Sequence, residues 1–383
     1  MNLELSEEQE AVRELAEDFV AREITPHVVA WDRAESVDKS IVKKLGALGF
    51  LGLTIPEEYG GSGGDHLAYC LVTEELGRGD SSVRGIVSVS LGLVAKTIAS
   101  WGDEEQKRHW LPRLTAGEAV GCFALTEPGT GSDAGNLSTR AVRDGDDYVI
   151  NGSKMFITNG TWADVVLLFA RTGDVPGHRG VSAFLVPADT PGLTRRTVHG
   201  KLGLRGQATA ELVLEDVRVP AATLLGPEGK GFSLAMSALA KGRMSVAAGC
   251  VGIAQAALDA AVRYAGEREQ FGQPIAGYQL VQELISDISV DVDAARMLTW
   301  RVADLVDRGQ DFATAASTAK LFASEAAVRA ANNALQVFGG YGYIDEYPVG
   351  KLVRDARVMT LYEGTSQIQK LIIGRALTGV SAF

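Results

Sequence analysis

The hydrophobic pattern of this chain changes twice, and those changes restrict its fold more than any other feature. Apolar residues recur with helical spacing as far as about Gly121, and short runs rich in Val, Leu and Phe follow. Long Ala-rich amphipathic stretches begin at Gly231. Because no helix separates the short runs, they favour an antiparallel sheet or small barrel over a parallel Rossmann sheet. The pattern predicts a multidomain α+β protein, with helices before and after a central antiparallel β domain.

Capping and turn residues place several of the elements. Ser6 and Gln9 form a capping box for the first helix, and Pro26 is expected to end that helix. Asp144–Gly145 lies between two alternating runs and predicts a β-hairpin. The last part of the chain is expected to form a helical bundle from about 231–266, 277–308, 311–338 and 365–377. The predicted domains are 1–118 (helical), 119–228 (β) and 229–383 (helical bundle).

Composition excludes several functions. The chain carries 37 Lys and Arg against 48 Asp and Glu, a net charge of −11, which disfavours binding to nucleic acid or an anionic membrane. Its cysteines and histidines are scattered and predict neither disulfides nor a metal site. The N-terminus lacks the basic and apolar regions of a signal peptide, and the apolar span Gly85–Ala95 is too short to cross a bilayer. A cytoplasmic location is expected.

Glycine-rich segments admit more than one interpretation. In Gly129–Gly135 the third glycine comes one place too late for a dinucleotide fingerprint, so a nicotinamide site is rejected. Gly60–Gly64 matches GxSxG but lies in a loop and is interpreted as a turn. The turn that carries Thr126 and Ser132 could hold flavin carbonyls or phosphate oxygens, although spacing alone favours an ordinary polar loop.

Two further positions are ambiguous when taken alone. Phe156, at the start of an expected strand, is typical of a core residue. Glu363 precedes Gly364 and a helix, so it could be a general base on an accessible turn. A glutamate that is simply favoured by the helix dipole is the commoner explanation.

Together these segments resemble the acyl-CoA dehydrogenase family of FAD flavoproteins over essentially the whole chain. Any one motif is moderately specific, but their order and spacing are hard to obtain by chance. The motifs are IPEEYGGSGG (55–64), FALTEPGTGSD (123–133), KMFITNG (154–160), GEREQFGQPI (266–275), QVFGGYGY (336–343) and LYEGTSQIQ (361–369). The resemblance implies a helical domain, a central β domain and a C-terminal four-helix bundle, in agreement with the pattern above.

The resemblance also implies which residues contact FAD. Those expected around the flavin ring are Phe123, Leu125, Thr126, Gly131, Ser132, Phe156, Ile157 and Thr158. Many relatives carry Trp where this chain has Phe156. Arg268 and Phe271 resemble residues that reach the FAD of a neighbouring subunit, with Arg268 on its pyrophosphate. Contacts to the adenosine end and the last FAD contacts are expected from Gln279, Gln336, Val337, Gly339, Gly340, Thr365 and Gln367.

By the same resemblance, Glu363 matches the catalytic base that removes the α-proton of an acyl-CoA while flavin N5 takes the β-hydride. A second group in the family places its base at the position of Gly242, which leaves only Glu363 here. The residues expected to contact the substrate are Ser132, Arg243, Tyr362 and Gly364. Many relatives have Asp where this chain has Ala240, which leaves room for an unusual thioester carrier.

The implied product is the trans-2-enoyl-CoA of a short to medium, straight or branched acyl chain, as in fatty-acid β-oxidation. An electron-transferring flavoprotein is the expected acceptor, and a homotetramer the expected assembly. Three alternatives stay open: an acyl-CoA oxidase, a dehydrogenase of carrier-protein-bound acyl thioesters, and a flavin-binding relative without turnover. The negative charge argues against a nucleic-acid-associated relative.

Overall fold

The N-terminal part of the chain is helical, as predicted. The structure, a computed structural model, describes residues 4–175 and 177–382, so the outermost residues of the predicted domains lie outside it. The capping box of Ser6 and Gln9 is confirmed. The helices are α1 (Glu7–Phe19), α2 (Val28–Ala34), α3 (Ile41–Ala47), α4 (His66–Gly79), α5 (Ser81–Val89), α6 (Lys96–Trp101) and α7 (Glu104–Thr115).

The first helix ends before Pro26, as predicted, but the chain stays helical beyond it. A π-helical turn over Val20–Ile24 and a 3₁₀ turn over Thr25–His27 carry the chain into α2. Proline is tolerated there because it occupies the first turn of a new helical segment, where its missing N–H is not needed.

The central part of the chain folds into one sheet. Its strands are β1 (Gly121–Ala124), β2 (Arg140–Asp144), β3 (Asp147–Ile157), β4 (Val165–Arg171), β5 (Val181–Pro187), β6 (Leu193–Thr197), β7 (Ala210–Pro220) and β8 (Leu224–Leu225).

The strand order in the sheet is β6-β7-β3-β2-β4-β5-β8, and β1 pairs with β4. Most pairings are antiparallel, as predicted, including the hairpin of β2 and β3. The exceptions are β1 beside β4 and a single parallel contact between β2 and β4.

Both faces of the sheet are buried at its centre. Val165, Leu167 and Phe169 of β4 join the main hydrophobic core that the helices share. Val166 and Leu168, on the other face, belong to a second core inside the β domain. This arrangement explains why β4 is a continuous apolar run rather than an alternating one.

The C-terminal part contains the predicted bundle helices and one more, α11, that the sequence pattern did not predict. The helices are α8 (Gly231–Glu267), α9 (Gln279–Asp307), α10 (Ala313–Phe338), α11 (Val349–Met359) and α12 (Ser366–Thr378). Between α8 and α9 a small hairpin of β9 (Glu269–Gln270) and β10 (Gln273–Pro274) projects, with Phe271 at its tip. The domain boundaries at 118/119 and 228/229 stay a prediction.

Two helical runs, Ser81–Trp101 and Gly231–Glu267, are long and apolar enough to cross a membrane by length and composition. The first is longer than the span expected from the sequence, because Arg84 and Lys96 lie inside the helix rather than at its ends. Within their most apolar windows, 89% and 72% of residues are buried inside the protein. That burial is typical of core helices.

Glycines bring α4 and α8 into backbone contact. A Cβ added to Gly77 would lie 2.8 Å from the carbonyl oxygen of Gly249, and one added to Gly252 would lie 2.1 Å from that of Glu74. Any larger side chain at these positions would force the helices apart. The N-terminal helices therefore pack directly on the longest helix of the bundle.

A buried ion cluster joins the three parts of the chain. The Asp355 carboxylate of α11 accepts a hydrogen bond from the backbone N–H of Leu204 at 2.7 Å and one from Lys351 Nζ at 2.5 Å. Lys351 also lies 3.4 Å from Asp80, which caps α5. Burial of these charges is tolerated because each one has a partner.

A second buried pair fixes the loop after β1. Lys154 Nζ of β3 donates to Glu127 Oε1 at 2.9 Å and to the Leu125 carbonyl at 3.2 Å. Glu127 also accepts hydrogen bonds from the backbone N–H and hydroxyl groups of Ser138 and Thr139. Although burial opposes it, the Lys154 charge and these hydrogen bonds lower the pKa of Glu127 to about 2. Both ends of the loop are thereby tied to β3.

Replacing Glu127 by Gln should destabilise the chain by roughly 3 kcal/mol or more, because Lys154 would be left as a buried charge without its partner. Equilibrium denaturation of the wild type and variant at pH 7 measures the difference. Arg140→Met is the matched control, since Arg140 forms only an exposed pair with Asp174. A loss no larger for Glu127→Gln than for this control would contradict the anchoring role.

Candidate active site

A cavity of about 220 Å³ lies where the sheet, α5, α8 and the turn before α12 meet. Ligand sites usually enclose about 300–1,000 Å³, so this cavity is the size of the reacting end of a large ligand. The predicted residues that line it come from the central and C-terminal parts of the chain. They are Phe123, Leu125, Thr126, Gly131, Ser132, Phe156, Ile157, Thr158, Arg243, Tyr362, Glu363 and Gly364.

Phe156 is not a core residue, which corrects the interpretation of this residue taken alone. The pairing of β3 with β7 is interrupted between Lys154 and Ile157 by a β-bulge. Within it Phe156 has φ of 60° and is 63% exposed, while Ile157 is buried. The bulge thus turns an aromatic ring into the cavity instead of into the sheet core.

The loop after β1 presents unused hydroxyl groups to the cavity. Among the described residues, neither the Thr126 nor the Ser132 side chain has a hydrogen-bond partner, and both residues line the cavity. Thr158, at the end of β3, lies near them, and its hydroxyl donates to Gln207 Oε1 at 3.3 Å. Gln207 was not among the predicted residues, because it follows β6 in an irregular segment with no motif around it.

Glu363 has the geometry of a reactive rather than a structural carboxylate. Its backbone is left-handed, with φ of 55°. Its Oε2 atom is buried and has no hydrogen-bond partner among the described residues. Burial raises the pKa of Glu363 to about 7, although Arg243, Lys320 and Arg84 oppose the rise. At neutral pH such a carboxyl can both take up and release a proton.

Gly242 faces Glu363 across the cavity. A Cβ at position 242 would lie 2.7 Å from Glu363 Oε2 and 2.9 Å from Leu93 Cδ2. A side chain at position 242 would therefore displace the Glu363 carboxylate. The two positions expected to carry a base in different family members thus converge on one point in space.

The turn that carries Glu363 is held by Gln369 and Lys320, which were not among the predicted residues. Gln369 Nε2 donates to the carbonyls of Glu363 and Gly364, both at 3.0 Å. Lys320 Nζ of α10 donates to the Gly364 carbonyl at 2.8 Å. A Cβ at Gly364 would lie 2.5 Å from Gln369 Nε2, and Gly364 has φ of 87°. Glycine is therefore needed for the turn itself, whatever approaches it from the cavity.

Arg84 is another lining residue that the sequence does not indicate, because there it marks only the boundary of an apolar span. It is 1% exposed, and its guanidinium donates to the Tyr362 hydroxyl and, at 3.0 Å, to Ser88 Oγ. A Cβ at Gly249 would lie 2.8 Å from Arg84 Nε, so the glycine makes room for this side chain. A charged residue inside an apolar helix was the available signal.

A second groove, separate from the cavity, collects other predicted residues. Arg268, Val337, Gly339 and Gly340 line it. The guanidinium of Arg268 lies over the ring of Tyr341, 5.3 Å from its centroid. The groove lies at the junction of α8 and α10, with its glycines exposed.

The remaining predicted residues line neither space. Phe271 is 95% exposed at the tip of the β9–β10 hairpin. Thr365 caps α12 by accepting a hydrogen bond from the Ile368 N–H at 3.2 Å. Gln279, Gln336 and Gln367 are exposed on α9, α10 and α12. Within a single chain these residues do not form a site with the cavity.

The cavity fits the reacting end of a flavin. An exposed aromatic ring in a strained bulge, two hydroxyls without partners and a buried carboxylate oxygen without a partner all face it. A planar ring with carbonyl and N–H groups satisfies such hydroxyls and backbone groups and packs on the phenyl ring. The described residues contain no cluster of His, Cys, Asp and Glu that could hold a metal ion.

Comparison with known proteins agrees with this architecture. The models of the acyl-CoA dehydrogenase N-terminal, middle and C-terminal domains match residues 6–118, 122–217 and 229–378. A relative, the probable acyl-CoA dehydrogenase YngJ of Bacillus subtilis, is 49% identical over 380 residues, which are 98% of this chain and 100% of the relative.

Two solved structures share the fold. Butyryl-CoA dehydrogenase from Megasphaera elsdenii has a TM-score of 0.97 at 41% identity, over 98% of this chain and 100% of that one. Glutaryl-CoA dehydrogenase from Mycobacterium smegmatis in complex with FADH2 has a TM-score of 0.95 at 37% identity, over 99% and 96%. The resemblance and the fold predicted from it are confirmed, and this chain belongs to the acyl-CoA dehydrogenase family.

Proposed function

We propose that this chain catalyses the FAD-dependent α,β-dehydrogenation of an acyl-CoA thioester, with Glu363 as the base that removes the α-proton. The observation that carries the proposal is the Glu363 carboxylate. It is buried, without a partner at Oε2, and in one cavity with every residue expected around the flavin ring. A structural glutamate at a helix start would instead bond to backbone N–H groups.

FAD fits the residues present, and one bound in complex with a relative is in its reduced form. We assign the ring to the cavity residues Thr126, Ser132 and Phe156, and the adenosine end to the second groove, around Arg268, of a neighbouring subunit. When bound, FAD supplies the acceptor for the β-hydride of the substrate.

The protein's own contribution is to place and tune the base. An α-proton beside a thioester is weakly acidic, so a carboxylate with an ordinary pKa would accept it poorly. Burial, opposed by Arg243, brings the pKa of Glu363 near the working pH. Gly242 leaves room for the carboxylate itself, because a Cβ there would lie 2.7 Å from Glu363 Oε2.

The same turn offers a donor for the negative charge that develops on the thioester oxygen. Among the described residues, the backbone N–H of Glu363 has no acceptor, while the carbonyls of Glu363 and Gly364 are held by Gln369 and Lys320. A fixed N–H of this kind stabilises an enolate oxygen without reorganising during the reaction.

Residues outside the cavity support an oligomer. Phe271 exposes its aromatic ring almost completely at the tip of the β9–β10 hairpin, in the segment that resembles the one reaching a neighbouring subunit in the family. We infer that Phe271 and Arg268 complete the FAD site of a neighbouring subunit in a homotetramer. An electron-transferring flavoprotein as acceptor, a cytoplasmic location and a role in β-oxidation belong to the same proposal.

A carrier-protein-bound acyl thioester is the second candidate. The side chain of Ala240, where many relatives have Asp, cannot make a polar contact to the CoA portion. Acyl-CoAs and acyl-carrier proteins of the same chain length, offered to the same enzyme, separate the two. Rapid formation of hydrogen peroxide in air would instead indicate an oxidase.

Glu363→Gln should keep FAD and bind acyl-CoA but lose anaerobic flavin reduction by at least about 100-fold, because the general base is removed. Stopped-flow bleaching of the flavin with butyryl-CoA measures the rate. Glu105→Gln, an exposed glutamate of α7, is the matched control and should reduce at the wild-type rate. A rate of flavin reduction close to that of the wild type in Glu363→Gln would contradict the assignment of Glu363 as the base.

The rate of flavin reduction should rise with pH through a midpoint near 7, since Glu363 acts only when it is deprotonated. The folded chain holds this proton more tightly than the unfolded chain, whose carboxyl has the ordinary value of 4.5. The contribution of Glu363 to stability is therefore lost as pH rises from 4.5 to about 7. A pH-independent rate between pH 6 and 8 would argue against the raised pKa.

Arg268→Ala should lower FAD retention and weaken the tetramer, because the charge expected on the pyrophosphate of a neighbouring subunit is lost. Gel filtration with absorbance at the flavin and protein wavelengths measures both. Arg263→Ala, an exposed arginine one turn earlier on α8, is the control. A stable Arg268→Ala tetramer that retains its full FAD content would contradict the shared site.

A further inference from the structure

Gln207 carries an amide whose two ends face different groups. The residue is 7% exposed and lines the cavity together with Thr158. Its Oε1 atom accepts hydrogen bonds from the hydroxyls of Thr158 and Thr209, at 3.3 and 3.4 Å. Among the described residues, its Nε2 atom has no acceptor. An amide N–H that is taken out of water without a partner is costly, so we expect a ligand in the cavity to accept it.

Helix α5 provides the space for this amide. A Cβ added to Gly85 would lie 2.1 Å from Gln207 Nε2, which is closer than two non-bonded atoms can approach. Any side chain at position 85 would therefore push the amide out of its place. Gly85 and Gln207 both line the cavity, so the amide belongs to the cavity wall between α5 and the end of β3.

The backbone of Gln207 is also fixed. Its N–H donates to the Leu204 carbonyl at 3.0 Å, and its carbonyl accepts from the Thr209 N–H at 2.8 Å and from Lys201 Nζ at 3.1 Å. Leu204 in turn donates its backbone N–H to the buried Asp355. The amide is thus held in place before any ligand binds, as a recognition group must be if it is to discriminate.

Gln207 and Thr158 together offer one donor and one acceptor to the cavity. Because the Thr158 hydroxyl donates its proton to Gln207 Oε1, its oxygen can only accept a further hydrogen bond. The Nε2 atom of the amide can only donate. A ligand that satisfies both must therefore carry a donor beside an acceptor.

The flavin ring fits this pair in one of its two redox forms. Thr158 is one of the residues expected beside the ring, and in the ring N5 is next to the C4 carbonyl. Both N5 and this carbonyl are acceptors in the oxidised ring, so a hydroxyl that can only accept does not match N5. N5 bears a hydrogen in the reduced ring, which then presents a donor beside an acceptor.

We propose that Gln207, together with Thr158, binds the reduced flavin more tightly than the oxidised flavin and so raises the reduction potential of the bound FAD. Gln207 positions the Thr158 hydroxyl and donates directly from Nε2. A group that interacts better with one of two states shifts their equilibrium toward that state. Hydrogen bonds to the ring nitrogens are a recognised means of tuning a flavin. This inference rests on the proposed function for its cofactor but not for its substrate.

Gln207→Met, which keeps the length of the side chain and removes both polar ends, should lower the midpoint potential of the FAD-loaded enzyme. The ratio of oxidised to reduced flavin should rise at least about tenfold, which corresponds to about 30 mV for a two-electron couple. Reductive titration against a reference dye, without substrate, measures the potential. Gln310→Met, at an exposed glutamine after α9, is the matched control and should leave the potential unchanged.

Two further variants test how the effect arises. Gly85→Ala should displace the Gln207 amide and lower the potential as well, while α5 stays intact because Ala is a better helix former than Gly. Thr158→Val should also lower the potential. Gln207→Met and Thr158→Val combined should lower it by less than the sum of the two, because the two side chains act as one unit.

Other roles for Gln207 give different results. An unchanged potential in Gln207→Met would overturn the proposal, even if the variant were less stable, since Gln207 would then only support its loop. A loss of kcat/KM confined to one acyl-CoA, with the potential unchanged, would place the amide on the substrate and would also overturn it. If Gln207→Met does not retain FAD, the potential of Gly85→Ala decides. The titration contains no substrate, so it gives its answer even if the dehydrogenase proposal fails.

Discussion

The backbone contact between α4 and α8 is the constraint on which the rest of this structure depends. Gly77, Gly249 and Gly252 let the two helices touch, and the N-terminal helices are thereby fixed against the bundle. Gly249 also provides the space for Arg84 on α5. Since α8 carries Gly242 and Arg243 as well, one helix crossing sets the position of the cavity wall opposite Glu363. A methyl group at the crossing would move all of these together.

Charged groups in the core serve two different purposes. The clusters around Glu127 and Asp355 are fully paired and tie separate segments together, as buried ion pairs must if they are to be tolerated. Around Glu363 the charges are close but unpaired, which shifts the pKa of the base and leaves hydrogen-bonding capacity unused. Within one protein, charged groups that hold the structure together are thus fully paired, whereas those around the proposed base are left available to a ligand.

Much of the fold could be predicted because it depends on local signals. The capping box at Ser6 and the alternating runs of the sheet are visible in the sequence, and the structure contains them. Pro26 marks the end of the first helix but not of the helical part of the chain, because a 3₁₀ turn that contains it leads into α2. The motifs identified Glu363 and the flavin loop as candidates. Gln207 and Lys320 could not be found, because they reach the site only through tertiary packing and have no motif around them. Gln369 lies inside the motif LYEGTSQIQ, but its contact with the turn of Glu363 follows only from the folded structure.

Three residues of the proposed sites, Phe156, Phe271 and Glu363, share a backbone conformation that side chains other than glycine and asparagine rarely adopt. At each of these positions the strained backbone lowers the free energy of unfolding and sets the direction of the side chain. Random substitution followed by selection for thermal stability alone would therefore enrich Gly or Asn at these positions. Selection for stability alone would therefore give a more stable protein that lacks the proposed catalytic carboxylate. Substitutions that relieve backbone strain at these three positions should therefore be avoided when activity is to be kept.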